Sequence, residues 1–243
     1  AIGSVWLPRP VFGVGLVLRA ASCNEATVCA DSDLLTAARR GDLSRVNTLL
    51  GAKPDVNETR EDGVTALIAA STTGHLAVVQ ALLDDKADVS ARMTNGGTAL
   101  MAAAAVGNRQ VVRALLDARA NVNTKANNGL TALLIASQSG YPQIVQTLLD
   151  AKADVNAQAG DGVTALMAAA QEGYRIVIQE LLAASTDVNA RTNDGLTALL
   201  IASEKGHHRV VQELLAAKAN VNARLNNGIT PLFMASQNGH KMV

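Results

Sequence analysis

The sequence predicts an all-α fold, an α-solenoid of helix-turn-helix repeats with β-hairpin fingers, and three observations carry that prediction. A glycine recurs every 33 residues at Gly63, Gly96, Gly129, Gly162, Gly195 and Gly228, with a threonine two places behind it at Thr65, Thr98, Thr131, Thr164, Thr197 and Thr230. A second glycine keeps the same step at Gly74, Gly107, Gly140, Gly173, Gly206 and Gly239, with an earlier outlier at Gly41. Between these marks apolar residues pair four apart, as in Ile144, Val145, Leu148 and Leu149. A fixed period of this length marks stacked modules, none of which can bury its apolar face alone.

Each unit opens on Asp-Gly or Asn-Gly: Asp62-Gly63, Asn95-Gly96, Asn128-Gly129, Asp161-Gly162, Asp194-Gly195 and Asn227-Gly228. Such pairs tolerate the positive φ of a tight hairpin turn, so a two-stranded finger is expected at each. The run Thr131-Ala132-Leu133-Leu134-Ile135-Ala136 then reads as a short first helix, stopped by a left-handed Gly140. Next, the spacing of Val78, Val79, Leu82 and Leu83, or of Ile144, Val145, Leu148 and Leu149, gives a second helix with a wide apolar stripe. Pro142 falls in the first turn of one such helix, where its missing N–H is harmless. Ala-Asp-Val-Asn or a variant leads back to the next finger.

Finger, helix, helix and loop, with D-G-x-T, then G-H, V-x-x-L-L and A-D-V-N, together resemble the ankyrin repeat. The resemblance runs from about Ser32 to Val243 in six glycine-led copies and a degenerate first one. Two departures recur. The proline that follows Thr in the family pattern is Ala in every copy except Pro231, and the usual histidine is Ile68, Met101, Leu134, Met167, Leu200 or Phe233. Apolar packing is therefore expected where the family has a polar Thr–His network. The glycine that ends the second helix in the family is Lys53, Lys86, Arg119, Lys152, Ser185 or Lys218. A non-glycine residue is costly in a left-handed pose, so those helix ends are expected to close differently.

On this reading residues 1–30 form an N-terminal arm and residues 31–243 the solenoid. The solenoid divides into a degenerate capping repeat at 31–59, five full repeats at 60–224 and a partial repeat at 225–243. Ser32 is the expected N-cap of the first helix. Arg45 replaces the first apolar residue of that repeat's second-helix stripe, as an end cap requires. The arm carries Arg9 and Arg19 and no acid in its first 24 residues, with an apolar run from Val11 to Leu18 that is too short to span a bilayer. It reads either as a retained targeting-type segment, hinting at export or an organelle, or as a docking arm. Cys23 and Cys29 match no zinc spacing. The partial repeat leaves Leu214 and Leu215 expected to face water, unless the natural chain continues or another molecule covers them. First-helix cores alternate, Met101-Ala-Ala-Ala and Met167-Ala-Ala-Ala against Leu134-Ile-Ala-Ser and Leu200-Ile-Ala-Ser, a double period of 66.

Composition narrows the function. The chain has 243 residues, 49% hydrophobic and 2% aromatic, so its core is aliphatic and alanine-rich. Lys and Arg total 21 and Asp and Glu total 21, which removes a whole-molecule argument for nucleic acid or an anionic membrane. No nucleophile has a base close in sequence. His207 and His208 lack the carboxylate or thiol company of a metal site, and Asp88, Asp154 and Asp187 sit in the repeat's own loop signature. No catalytic residue, metal or cofactor is expected, and the chain does not read as an enzyme.

What remains is a surface for a partner protein. The resemblance implies a concave groove lined by fingers and first helices. Carried over position by position, its contact residues are Arg60, Met93, Asn127 and Asn193 on the fingers, and Val106, Gln138, Gln171 and Lys205 on the first helices. Just before the fingers, Arg92, Lys125, Gln158, Arg191 and Arg224 fall 33 apart and would stack into a basic ladder broken only by Gln158. Such a ladder is either a track for acidic side chains or a C-terminal carboxylate, or a row of solvated charges balanced by nearby acids. The alternative to a recruiting module is a structural subunit fixed in a larger, and through residues 1–30 even membrane-associated, assembly.

Overall fold

The computed structural model describes residues 33–242; the 1–30 arm with Cys23 and Cys29, together with Ser32 and Val243, lies outside the described residues. Among the described residues the chain forms thirteen helices and no sheet. They come as six pairs: α1 (Leu34–Arg40) with α2 (Leu43–Gly51), α3 (Ala66–Thr73) with α4 (Leu76–Asp84), α5 (Ala99–Ala105) with α6 (Arg109–Asp117), α7 (Ala132–Ser139) with α8 (Pro142–Asp150), α9 (Ala165–Glu172) with α10 (Arg175–Ala183), and α11 (Ala198–Lys205) with α12 (His208–Ala216). A last first-type helix, α13 (Pro231–Gln237), follows. The odd-numbered helices pack in chain order as one layer and α2 to α12 as a second. Helices of seven to nine residues are marginal in isolation, so the stacking holds them.

The recurring threonine is the N-cap of every regular first helix. Its hydroxyl accepts from the N–H three residues on, at Ile68, Met101, Leu134, Met167, Leu200 and Phe233, over 3.2–3.4 Å. The residue standing where the family has histidine thus donates through its backbone, and its apolar side chain, Phe233 apart, is buried in the core. α1 is capped instead by Asp33, whose carboxylate accepts from Thr36 N at 2.6 Å. Gly140 ends α7 in the left-handed region as expected, at φ 75°.

The second helices end against expectation. Lys53, Lys86, Arg119, Lys152, Ser185 and Lys218 all adopt φ between 54° and 68°, the pose that glycine would hold without strain. Hydrogen bonds fix them there. Lys152 N donates to Leu149 O and Ala153 N to Leu148 O, both at 2.9 Å, and Lys86, Arg119, Ser185 and Lys218 repeat the pattern. This double closure satisfies the orphan carbonyls of the helix and outweighs the local strain.

The fingers differ as well. Around Gly63, Arg60 N donates to Val64 O and Gly63 N to Arg60 O, which closes one tight turn. The chain enters α3 at once, leaving no length for a ladder, so the expected two-stranded fingers reduce to turns. One isolated bridge, between Arg92 and Thr98, is the remnant of pairing among the described residues.

The core runs between the helix layers. Leu82, Leu115, Leu148, Leu181 and Leu214 each expose 0% of their surface. Leu214 is therefore not water-facing: it lies on the inner side of the α12 stripe, against α11, while Leu215 on the outer side is 41% exposed. The double period surfaces in the core too. Ser71, Ser137 and Ser203 are fully buried with no partner for their hydroxyls, while Ala104 and Ala170 hold the intervening positions.

Candidate functional site

The glycine corners line up along one rim. A Cβ on Gly129 would come within 2.8–3.0 Å of Gly160 N and Ala159, so the next finger sits directly against the turn. A row of backbone bonds follows. Thr94 N donates to Asp62 O, Asn127 N to Asn95 O, Gly160 N to Asn128 O, Asn193 N to Asp161 O and Asn226 N to Asp194 O, all at 2.9–3.1 Å. The turns are thus fixed against one another, copy by copy, by the chain's own backbone bonding.

Two further rows tie the copies together. The side-chain oxygens of Asn57, Asn123, Asn156 and Asn189 accept from the backbone N–H of Asp88, Asp154, Asp187 and Asn220 in the following loop, at 2.7–2.8 Å. The residue after each second glycine lies over the glycine of the preceding copy. Tyr174 covers Gly140 and His207 covers Gly173, with His207 Nε2 3.0 Å from the Gln171 carbonyl. Both rows were visible as 33-residue recurrences of Asn and of the position after glycine. Their partners, more than 30 residues away, were not.

The basic ladder is tied into the stack. Arg92 donates to Lys125 O at 2.7 Å, Lys125 to Gln158 O at 3.4 Å and Arg191 to Arg224 O at 2.8 Å, each reaching the next copy. All three remain exposed, as does Arg224. Asn127 turns back to Thr94 O at 2.9 Å, while Asn193 is exposed and its carbonyl accepts from Asn226. Gln171 reaches Glu172, Lys205 lies 3.8 Å from Glu204, and Gln138 and Val106 are half-buried.

Arg60 is held at the start of the stack. It bridges Asp33 Oδ2 at 2.9 Å and Thr36 Oγ1 at 3.1 Å. Burial pushes the Asp33 carboxyl up, but hydrogen bonds from the Thr36 side chain and backbone, and from Arg60 with its charge, outweigh it and leave the group below the usual carboxylate range.

Met93 lines a depression near the start of the stack. Arg39, Val64, Ile68, Ala69, Thr72, Thr73 and Met93 surround a depression of about 70 Å³ between α1, α3 and the finger that follows. Ile68 is a partner that the repeat pattern alone does not single out, because a core residue's exposed edge is invisible in sequence.

Among the described residues no group of His, Cys, Asp or Glu side chains could hold a metal ion, and no helix is long and apolar enough to cross a membrane. The sequence profile described as "Ankyrin repeats (3 copies)" matches residues 34–126, 79–159, 119–192 and 166–243. No curated protein matches the chain. Among solved structures, the crystal structure of human ASB11 ankyrin repeat domain is similar at a TM-score of 0.78 and 25% identity, covering 84% of this chain and 91% of that one.

Proposed function

This chain belongs to the ankyrin-repeat family, and we propose that it is a non-enzymatic module that grips a partner protein in the cleft between fingers and first helices. Repeats of this family are in general protein–protein interaction modules. One observation carries the assignment to the cleft. The cap that starts each regular first helix repeats from copy to copy, whereas partly exposed positions on the same helices do not. Thr65 recurs as Thr in all regular copies, but the series Thr72, Gln138, Gln171 and Glu204 changes along the chain. Variation at surface positions carried on a constant scaffold supports recognition there.

On this reading Arg92, Met93, Val106, Lys125, Asn127, Gln138, Gln171, Arg191, Asn193, Lys205 and Arg224 contact the partner, and Arg60 holds the first finger in place for them. The test compares partner capture from the native source by the intact chain with capture by a variant carrying Q138A, Q171A and K205E. Loss of a specific partner from the variant, with unfolding midpoint unchanged, supports the cleft; equal capture by both refutes it.

A second reading, a subunit fixed in a larger assembly, draws on the α13 face, where Leu232 is 74% and Phe233 50% exposed. A monomeric, non-aggregating chain on size-exclusion chromatography counts against it.

A further inference from the structure

We infer that the α1–α3 end of the cleft is a subsite for an aliphatic side chain flanked by a carboxylate, presented by an extended segment of the partner protein. This rests on the cleft being the binding surface and names what one end of it accepts.

The depression between α1, α3 and Met93 is apolar where its lining predicts otherwise. Thr72 donates its hydroxyl to Ile68 O at 2.8 Å, and Thr73 donates to Ala69 O at 3.1 Å. Both hydroxyls are satisfied inside α3, so the methyl groups are what these side chains have left to offer a ligand. Val64, Ile68 and Ala69 form the remaining wall, and Met93 adds an unbranched side chain that adapts to what it meets. At about 70 Å³ the space is several times the roughly 10–15 Å³ that one water requires, and suits the end of a valine or leucine.

Arg39 is the single charged residue in that lining. It stands in the last turn of α1, where a cation complements the helix dipole, yet it forms no ion pair among the described residues. Its neighbour in the chain's logic, Arg60, is by contrast engaged by Asp33. A half-buried guanidinium beside an apolar hollow matches a carboxylate adjacent to an aliphatic side chain, since the planar fork can take both oxygens. The combination of Arg39, Thr72 and Met93 does not recur: one, two and three copies on, the corresponding sets are Thr72, Ala105 and Ala126, then Ala105, Gln138 and Ala159, then Gln138, Gln171 and Thr192, none of them with a cation. The partner's aliphatic anchor is thereby assigned to one end, and its direction along the cleft is set.

The test selects random peptides displayed on phage against the intact chain, then measures enriched synthetic peptides by fluorescence anisotropy. Enrichment of Asp or Glu beside Val, Leu or Ile is expected, with affinity lowered about tenfold or more by R39E and by T72Q, which places in the hollow the residue that the α7 and α9 copies already tolerate. Selection on the R39E variant itself should exchange the acid for Lys or Arg. Circular dichroism and the urea midpoint confirm that both variants fold. Peptides without the pairing, no enrichment, or unchanged affinity in both variants overturn the subsite. Peptides insensitive to R39E and T72Q but lost with Q138A and K205E overturn the subsite alone; peptides insensitive to all four overturn the cleft reading with it.

Discussion

Replacing Lys86, Arg119, Lys152 and Lys218 with glycine should stabilise the stack. Each sits at positive φ, between 65° and 68°, at the end of a second helix. Each side chain is exposed and makes no hydrogen bond or ion pair among the described residues, so truncation removes no contact. The backbone bonds that close the helix, such as Lys152 N to Leu149 O, are available to glycine unchanged. A non-glycine residue in this region costs roughly 1–2 kcal/mol. Glycine gives back about 0.4–1 kcal/mol through the greater freedom of the unfolded chain. The difference favours glycine by about 0.5–1 kcal/mol per site, or roughly 2–4 kcal/mol for four sites that are too far apart to couple. Urea unfolding followed by far-UV circular dichroism would register this as a midpoint raised by about 1 M, for a slope of about 2–3 kcal/mol/M. An unchanged or lowered midpoint in the quadruple variant would refute the reasoning, because it would mean that these lysines and Arg119 carry contacts or that the pose is not strained. Lys53 is left out of the set, since Pro54 follows it and has no N–H for the second closing bond.

Leu148→Ala should lower stability by roughly 2–5 kcal/mol in chemical denaturation, since Leu148 is fully buried between α7 and α8; a loss below about 1 kcal/mol would count against stacking as the source of stability. Ser71→Ala, Ser137→Ala and Ser203→Ala should each raise stability by about 1 kcal/mol, because the unpartnered hydroxyl is removed and alanine already fills the same place at Ala104 and Ala170; a destabilised triple variant would refute this. Asp33 predicts a pH effect: its carboxyl is lowered in the folded chain, so its contribution is present above the unfolded value near 3.9 and is lost as pH falls through the lower folded value. Asp33→Asn should therefore narrow the stability difference between pH 6 and pH 3, and an unaltered difference in paired urea titrations would exclude the effect.

The helix layers were legible because 3.6-residue stripes and glycine stops are local signals: Ile144, Val145, Leu148 and Gly140 name their own elements. The helix ends at Lys86 and Lys152 were misread because propensity weighs one residue's strain, whereas the outcome turned on two backbone bonds to Leu82–Leu83 and Leu148–Leu149. The finger strands were misread for a related reason. Asp-Gly and Asn-Gly report a turn, but whether strands flank it depends on how soon the next helix starts, and Thr65 starts it two residues later. Along the fingers, the 33-residue step spaces Arg92, Lys125, Arg191 and Arg224 one per copy. It could not say that three of them would donate to carbonyls of the next copy. Depth was least legible of all. Met93 came from the pattern, but the hollow beside it depends on Thr72 being short and on its hydroxyl turning inward.

That division bears on how such a surface changes partner without losing its fold. The finger row uses backbone atoms alone, the loop row uses one asparagine per copy, and the glycine row asks only for a flat or short side chain, as Asn108 serves in place of His or Tyr. None of the three uses the side chains of residues 72, 171 or 204, which are partly exposed, so substitution at those positions leaves all three rows intact. The loop row is interrupted at one copy. Ser90 stands where its counterparts are asparagines, and among the described residues no side-chain bond from it reaches Asn121. The finger row and the glycine row continue across that junction, through Asn127 N to Asn95 O and through Tyr141 over Gly107, so the stack does not need every tie at every copy.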